Sequence, residues 1–208
     1  MDIKEKERLE EMLLYENKLK DEGYKYVCGI DEAGRGPLCG EVVAAAVILN
    51  DGVIIEGVND SKKLSEKKRE ILYDEIIKNV KAYGIGSASI YEIEKYNILG
   101  ATKLAMTRAV ENLSVKPDYV LIDGNQKVSS IKISQETIVS GDSKSLSIAC
   151  ASILAKVTRD RILREYDKKY PMYGFSKHKG YGTKAHIEAI KEYGMCEIHR
   201  PSFCKKFI

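Results

Sequence analysis

Gly29-Ile30-Asp31-Glu32-Ala33-Gly34-Arg35-Gly36 ends a short apolar run in two adjacent carboxylates and turns at once through a segment poor in side chains, Gly34-Arg35-Gly36-Pro37. Working outward, two more aspartates occupy similar settings. Asp123 ends the strand-like run Tyr119-Val120-Leu121-Ile122, and Asp142 follows Ile138-Val139-Ser140-Gly141 and precedes a long helix-like segment. Four carboxylates beside strand ends are the ligand set that two divalent cations need for phosphoryl transfer. A phosphodiester is already negative and repels an incoming hydroxide, an obstacle that such cations remove. Asp31 and Asp123 lie 92 residues apart and Asp123 and Asp142 lie 19 apart, so only a folded sheet can gather them. Asp142 has a second reading, as the N-cap of the helix that follows, and the residues alone leave both open.

The glycine turn has two lookalikes, and both fail on residues. Gly29 and Gly34 have the spacing of a phosphate-cradling loop, but Arg35 and Gly36 stand where Lys and Ser/Thr are required. A dinucleotide fingerprint needs glycines at 34, 36 and 39; Cys39 occupies the third place, and Pro37 spoils the helix entry. An ordinary surface turn with two solvated acids is the remaining plain reading.

The length of 208 residues suits one domain, and a hydrophobic content of 44% supports a sizeable core. No apolar run approaches a membrane span, and the N-terminus is charged rather than signal-like, so a cytoplasmic protein without a membrane partner is expected. Cysteines at 28, 39, 150, 196 and 204 form no Cys-x-x-Cys pair and read as reduced, mostly buried thiols. Cys196, His199 and Cys204 lack a fourth ligand at zinc-motif spacing. The net charge of +3 is uneven: from Lys156 onward thirteen Lys/Arg stand against six Asp/Glu. A basic C-terminal third beside an acidic site suits a polyanionic substrate, and a solvated helix face explains it equally well.

Periodicity predicts one amphipathic helix over 2–22, with Leu9, Met12, Leu13 and Leu19 on one face and Gly23 as its stop. Strands are expected at Tyr24–Ile30, Val42–Leu49, Ala82–Ile90 and up to Asp123, with short strands in Lys127–Val139. Ser65 caps a helix to about Val80 with Ile71, Leu72, Ile76 and Val80 inward, and Asn97 caps another to about Leu113. A long helix runs from Ser143 to about Lys169, and a last one from Thr183 to Tyr193. This order is mixed α/β in one domain, and periodicity leaves the strand order of the sheet open.

The stretch Asp31-Glu32-Ala33-Gly34-Arg35-Gly36-Pro37-Leu38 resembles the signature of the ribonuclease HII family, type 2 ribonucleases H. So do Asp60-Ser61-Lys62-Lys63-Leu64, Asp123-Gly124, Gly141-Asp142 with Ala151 to Asp160, His178-Lys179-Gly180-Tyr181-Gly182-Thr183, and His199-Arg200 with Ser202-Phe203. The matches run in family order from about residue 26 to 203; Cys39, Glu41 and Met195-Cys196-Glu197 depart from it without touching a carboxylate. The resemblance implies a ribonuclease H-like mixed sheet flanked by helices, with additional C-terminal helices. It implies a single catalytic domain over 1–208, with an N-terminal helix over 1–23 and a C-terminal helical region from about 165 to 208. It also implies an endonuclease that hydrolyses the RNA strand of RNA–DNA hybrids. Such an enzyme incises 5′ of single ribonucleotides in duplex DNA by two-metal-ion catalysis, leaving 5′-phosphate and 3′-hydroxyl ends. Asp31, Glu32, Asp123 and Asp142 then hold Mn²⁺ or Mg²⁺ and act catalytically. Gly34, Arg35, Gly36 and Tyr181 recognise the ribonucleotide. Lys62 and Lys63, in a polar loop, read as phosphate contacts or as plainly solvated charges. Tyr181 read alone favours core packing over contact with a sugar. A monomer is expected, whose partners are RNA–DNA hybrids and ribonucleotide-containing DNA. Ribonuclease HIII is disfavoured, because only about 25 residues precede the first strand.

Overall fold

The computed structural model describes all residues from Met1 to Ile208. In chain order the elements are α1 (Ile3–Glu11), α2 (Leu14–Asp21), β1 (Val27–Ala33), β2 (Val42–Ile48), α3 (Glu66–Asn79), β3 (Ala82–Ala88), α4 (Ile90–Glu111), β4 (Tyr119–Asp123), β5 (Ser134–Ile138), α5 (Leu146–Lys169), α6 (Phe175–His178), α7 (Lys184–Tyr193) and α8 (Pro201–Cys204). The strands form one mixed sheet in the order β3-β2-β1-β4-β5. β1, β2 and β3 are antiparallel neighbours, whereas β4 and β5 extend the sheet in parallel from β1.

The sheet is covered on both faces, which is why β2 reads as an unbroken apolar run. Its alternate residues separate into two cores: Ala45 and Val47 pack with α5 and α3, and Val42, Ala44, Ala46 and Ile48 pack with α4. β1 follows the same rule. Cys28 and Ile30 face α4, and Gly29 faces α5 so closely that a Cβ there would overlap Ser147 and Ile148. A third core, with Leu38, Leu163, Phe175 and Ile190, seats the C-terminal helices against the glycine turn.

Several expected boundaries are corrected. The N-terminal helix is two helices, because the Met12 carbonyl accepts the Leu146 N–H at 2.8 Å, tying the break to the start of α5. β1 begins later than expected and runs to Ala33, so both carboxylates lie within the strand. In α3, Ile71 is exposed, since the core-facing stripe runs through Leu72 and Ile76 with Tyr73 and Ile77 at its edge. Ser89 and Glu92 form a capping box that starts α4 before Asn97. Asn97 (φ 57°) breaks that helix and recaps it, its Oδ1 accepting the Leu99 and Gly100 N–H groups. Only β5 forms within 127–139; the loop before it is held by the Gln135 amide on Val128 and Ile131. The helix expected from Thr183 to Tyr193 forms as α7 with Thr183 as its cap, but it is not the last, since α8 follows it.

Candidate metal centre and glycine turn

Three strand or turn ends converge on one cleft. A carboxylate oxygen from each of Asp31 (β1), Asp123 (end of β4) and Asp142 lies within 4.8 Å of the others. β1 and β4 are parallel neighbours with Ile30 opposite Ile122, so Asp31, two residues before the end of β1, comes beside Asp123, which ends β4. Asp142 sits in the single 3₁₀ turn Gly141–Ser143 and is buried. It is not the cap of α5: Ser145 takes that role, accepting the Ile148 N–H, which removes the capping alternative. The same helix start is clamped by buried Glu16 of α2, whose Oε1 accepts from Ser145 Oγ, Ser147 Oγ and Ser147 N–H.

Two of the three acids are oriented by one oxygen. Asp31 Oδ1 accepts the Glu32 N–H at 2.7 Å, and Asp123 Oδ1 accepts the Gly141 N–H at 2.7 Å. Ser152 of α5 stands beside Asp31 and also meets Ser61 Oγ at 2.8 Å. The electrostatics of the cluster are unfavourable. Burial, then the charges of Glu32 and Asp123, push the Asp31 carboxyl well above the usual carboxylate range. Burial, then Asp123 and Asp60, raise Asp142. The cation that touches this triad is Lys62, whose Nζ lies 3.4 Å from Asp142 Oδ2. Closely spaced oxygen donors that resist ionisation fit hard divalent cations, which supply the missing positive charge.

Glu32 is not in the triad. Consecutive strand residues point to opposite faces, so Asp31 turns toward α5 and Glu32 leaves on the α4 side. There it pairs with Arg35 at 3.3 Å and borders a hollow lined by Leu99, Thr102 and Lys103. It still lines the cleft beside Asp31 and Asp123, and burial raises its carboxyl despite Arg35.

The turn closes one wall of the same cleft, with Gly34, Arg35, Gly36, Lys62 and Tyr181 around it. Its two glycines differ in kind. Gly34 has φ +100°, and a Cβ there would overlap Arg159 Nε; Gly36 has ordinary φ, and a Cβ would meet only Tyr181 Cε1, at 3.6 Å. Tyr181 is 50% exposed, so the core-packing alternative for its ring is overturned. Its carbonyl is held at 3.0 Å by His186, whose Nε2 meets His199 Nε2 at 3.1 Å.

Residues without an assigned role in the sequence complete the wall. Arg159 is buried and donates to the carbonyls of Glu41, Lys179 and Cys39, tying the glycine turn to the loop that carries Tyr181. Ser152, Lys156 and Arg159 all line the cleft from α5, within the quoted stretch Ala151 to Asp160. The basic C-terminal third is largely neutralised in space: Arg161 and Arg164 pair with Glu70, Lys169 with Glu197, and Lys179 with Glu66. All five cysteines are free thiols; Cys196 Sγ contacts His199 Nδ1, whereas Cys204 Sγ turns to the Leu38 carbonyl. No helix is long and apolar enough to cross a membrane.

Comparison with known proteins agrees with this architecture. The family model described as Ribonuclease HII matches residues 28–206. The chain is 60% identical over 205 residues to the ribonuclease HII of Acetivibrio thermocellus, covering 99% of this chain and 80% of that protein. It is 56% identical over 193 residues to the ribonuclease HII of Caldicellulosiruptor bescii, covering 93% of each. Among solved structures, the ribonuclease H2 of Pyrococcus horikoshii OT3 superposes with a TM-score of 0.73 at 26% identity, covering 88% of this chain and 97% of that one.

Proposed function

This chain belongs to the ribonuclease HII family, metal-dependent endoribonucleases that cleave RNA in RNA–DNA hybrids, and on that premise we propose how its own residues do so. Asp31, Glu32, Asp123 and Asp142 hold two divalent cations, Mn²⁺ or Mg²⁺, and form the catalytic centre. The observation that carries this reading is the convergence of Asp31, Asp123 and Asp142 within 4.8 Å, from sequence positions far apart. When bound, the cations activate water and stabilise the leaving oxygen of the phosphodiester. The remaining work falls to the chain. Asp31 and Asp123 each keep one oxygen in a backbone hydrogen bond, which leaves the other for ligation. Lys62 reaches the rim of the cluster from an exposed loop, where it meets a substrate phosphate.

Gly34, Arg35, Gly36 and Tyr181 select the ribonucleotide. Gly36 leaves the backbone bare, Arg35 adds charge for phosphate, and the exposed Tyr181 ring offers a face for the sugar. Incision falls on the 5′ side of a ribonucleotide, including a single one in duplex DNA, and leaves 5′-phosphate and 3′-hydroxyl ends. The enzyme acts as a cytoplasmic monomer, with residues 1–208 as one catalytic domain.

The test compares a duplex with one embedded ribonucleotide, the matching all-DNA duplex and an RNA–DNA hybrid, with Mg²⁺, with Mn²⁺ and with chelator. Cutting should require metal, and the all-DNA duplex should resist by about 10⁴-fold, as expected of a site built to bind a hydroxyl. Equal cutting of the ribonucleotide and all-DNA duplexes would overturn sugar selection. Tyr181→Ala should lose roughly ten- to a hundredfold on the embedded ribonucleotide through misplacement of the sugar. Full activity would remove Tyr181 from the site.

A further inference from the structure

Arg200 lies behind the glycine turn and is completely buried, with no carboxylate within ion-pair distance. A guanidinium has five N–H donors, and here five bonds all go to one short segment. Nε donates to Gly40 O (2.8 Å), Nη1 to Arg35 O (3.1 Å) and Pro37 O (2.9 Å), and Nη2 to Gly34 O (2.7 Å) and Gly40 O (2.6 Å). The side chain is itself fixed: its Cζ lies 5.2 Å from the centre of the Phe203 ring, and the Arg200 N–H donates to Leu38 O at 2.8 Å. Burying an unpaired charge in this way is a poor route to stability. Burial lowers the Arg200 pKa to about 10, which leaves it charged at neutral pH.

The consequence lies on the other side of the turn. In a planar trans peptide the carbonyl of one residue and the N–H of the next point in opposite directions. Drawing the carbonyls of Gly34 and Arg35 inward therefore aims the N–H groups of Arg35 and Gly36 outward. Neither N–H, nor that of Gly34, donates to any group in the chain. These residues line the cleft with Asp31 and Tyr181.

We propose that Arg200 is a positioning residue for sugar selection: by clasping the carbonyls of Gly34, Arg35, Pro37 and Gly40 it aims the Arg35 and Gly36 N–H groups at the 2′-hydroxyl oxygen of the ribonucleotide. The proposal rests on the reading of this turn as the sugar sensor. It also gives the turn polarity, because carbonyls bound to a cation make their own peptide N–H groups better donors. Lysine cannot replace this arrangement, since three donors at one point cannot span four carbonyls.

The test uses Arg200→Lys and the unmodified protein. Affinity for the single-ribonucleotide duplex and the all-DNA duplex is measured with Ca²⁺, alongside Mg²⁺ binding to the free protein and the circular dichroism spectrum. We expect a folded variant with unchanged Mg²⁺ affinity whose preference for the ribonucleotide duplex falls at least tenfold, by about the discrimination one such contact supplies. An unchanged preference would overturn the proposal. In the unmodified protein, amide hydrogen exchange at Arg35 and Gly36 should slow with the ribonucleotide duplex and not with the all-DNA duplex. Equal protection by both overturns the proposal even if Arg200→Lys does not fold. Loss of preference in the unmodified protein would instead sink the sugar-sensor reading itself.

Discussion

The floor and one wall of this cleft are built in opposite ways. On the floor, Asp31, Asp123 and Asp142 crowd within 4.8 Å, and the single side-chain cation in contact is Lys62, at 3.4 Å. On the wall, the carbonyls of Gly34, Arg35, Pro37, Cys39, Gly40 and Glu41 are all taken by Arg159 and Arg200. The floor holds more negative charge than its surroundings offset, and a divalent cation relieves it. The carbonyls of the wall are satisfied before substrate arrives, so its free N–H groups are held in place in advance. Removing a group from the floor should therefore relieve the fold while ending the chemistry. On the wall the cost depends on the position: a change that enters the buried clasp should harm the fold, and one on the open side should harm selectivity alone.

The sharpest way to break this contrast is Asp31→Asn. Loss of a cation ligand should lower cleavage by roughly a thousandfold or more, from the several kcal/mol that metal ions supply. The chelated variant should nevertheless melt at or above the unmodified protein, because a buried charge has been removed. A lower melting temperature would mean that the floor is not strained.

Gly34→Ala and Gly36→Ala separate fold from contact on the wall. Gly34→Ala forces a side chain into a left-handed conformation and into Arg159, and should destabilise by about 2–4 kcal/mol in denaturant titration. Gly36→Ala has ordinary space and should stay within about 1 kcal/mol, while reducing selection of the ribonucleotide. Similar stability losses in both would show that the two glycines do the same work.

The pH dependence sharpens the account of the floor. The folded carboxyl of Asp31 is raised above its unfolded value of about 3.9. Its contribution to stability is therefore complete below that value and is lost as pH rises through the folded pKa. Melting temperatures of chelated protein should fall relative to Asp31→Asn over that rise, and Mg²⁺ should restore the difference most on the alkaline side. Parallel curves would contradict it.

The smallest effect concerns the basic surface. Lys177 is exposed and pairs with nothing, and Lys184 makes only a loose pair with Glu188, at 3.8 Å. Replacing both by Gln should reduce the salt slope of duplex binding by about 1–2. Lys179→Gln should act on stability instead, by about 0.5 kcal/mol through its pair with Glu66, as little as an ion pair near the surface is worth. Lys179 governing the slope would reverse that division.

Much of the floor was legible because its signals are local. Asp31 and Asp123 end apolar runs, and an acid after such a run marks the mouth of a sheet whatever the strand order. Asp31 and Glu32 are neighbours in sequence, but the strand runs past both and its alternation sends their side chains to opposite faces, a separation that spacing alone does not show. Asp142 was ambiguous because capping and ligation both call for an acid before a helix. The tertiary placement of Ser145, held by Glu16, removed the capping reading.

The sequence by itself determined the family, the mixed α/β class, the acids and the glycine turn, because these rest on residue types at short spacing. Tertiary structure alone decided which acids meet and which glycine is obligatory. It also decided that Tyr181 is exposed, and that two arginines of the basic C-terminal third are internal clasps rather than surface charge. An arginine's chemistry is the same in a solvated tail as behind a turn. What differs is whether backbone carbonyls from residues more than a hundred positions away surround it, and only the folded chain brings them there.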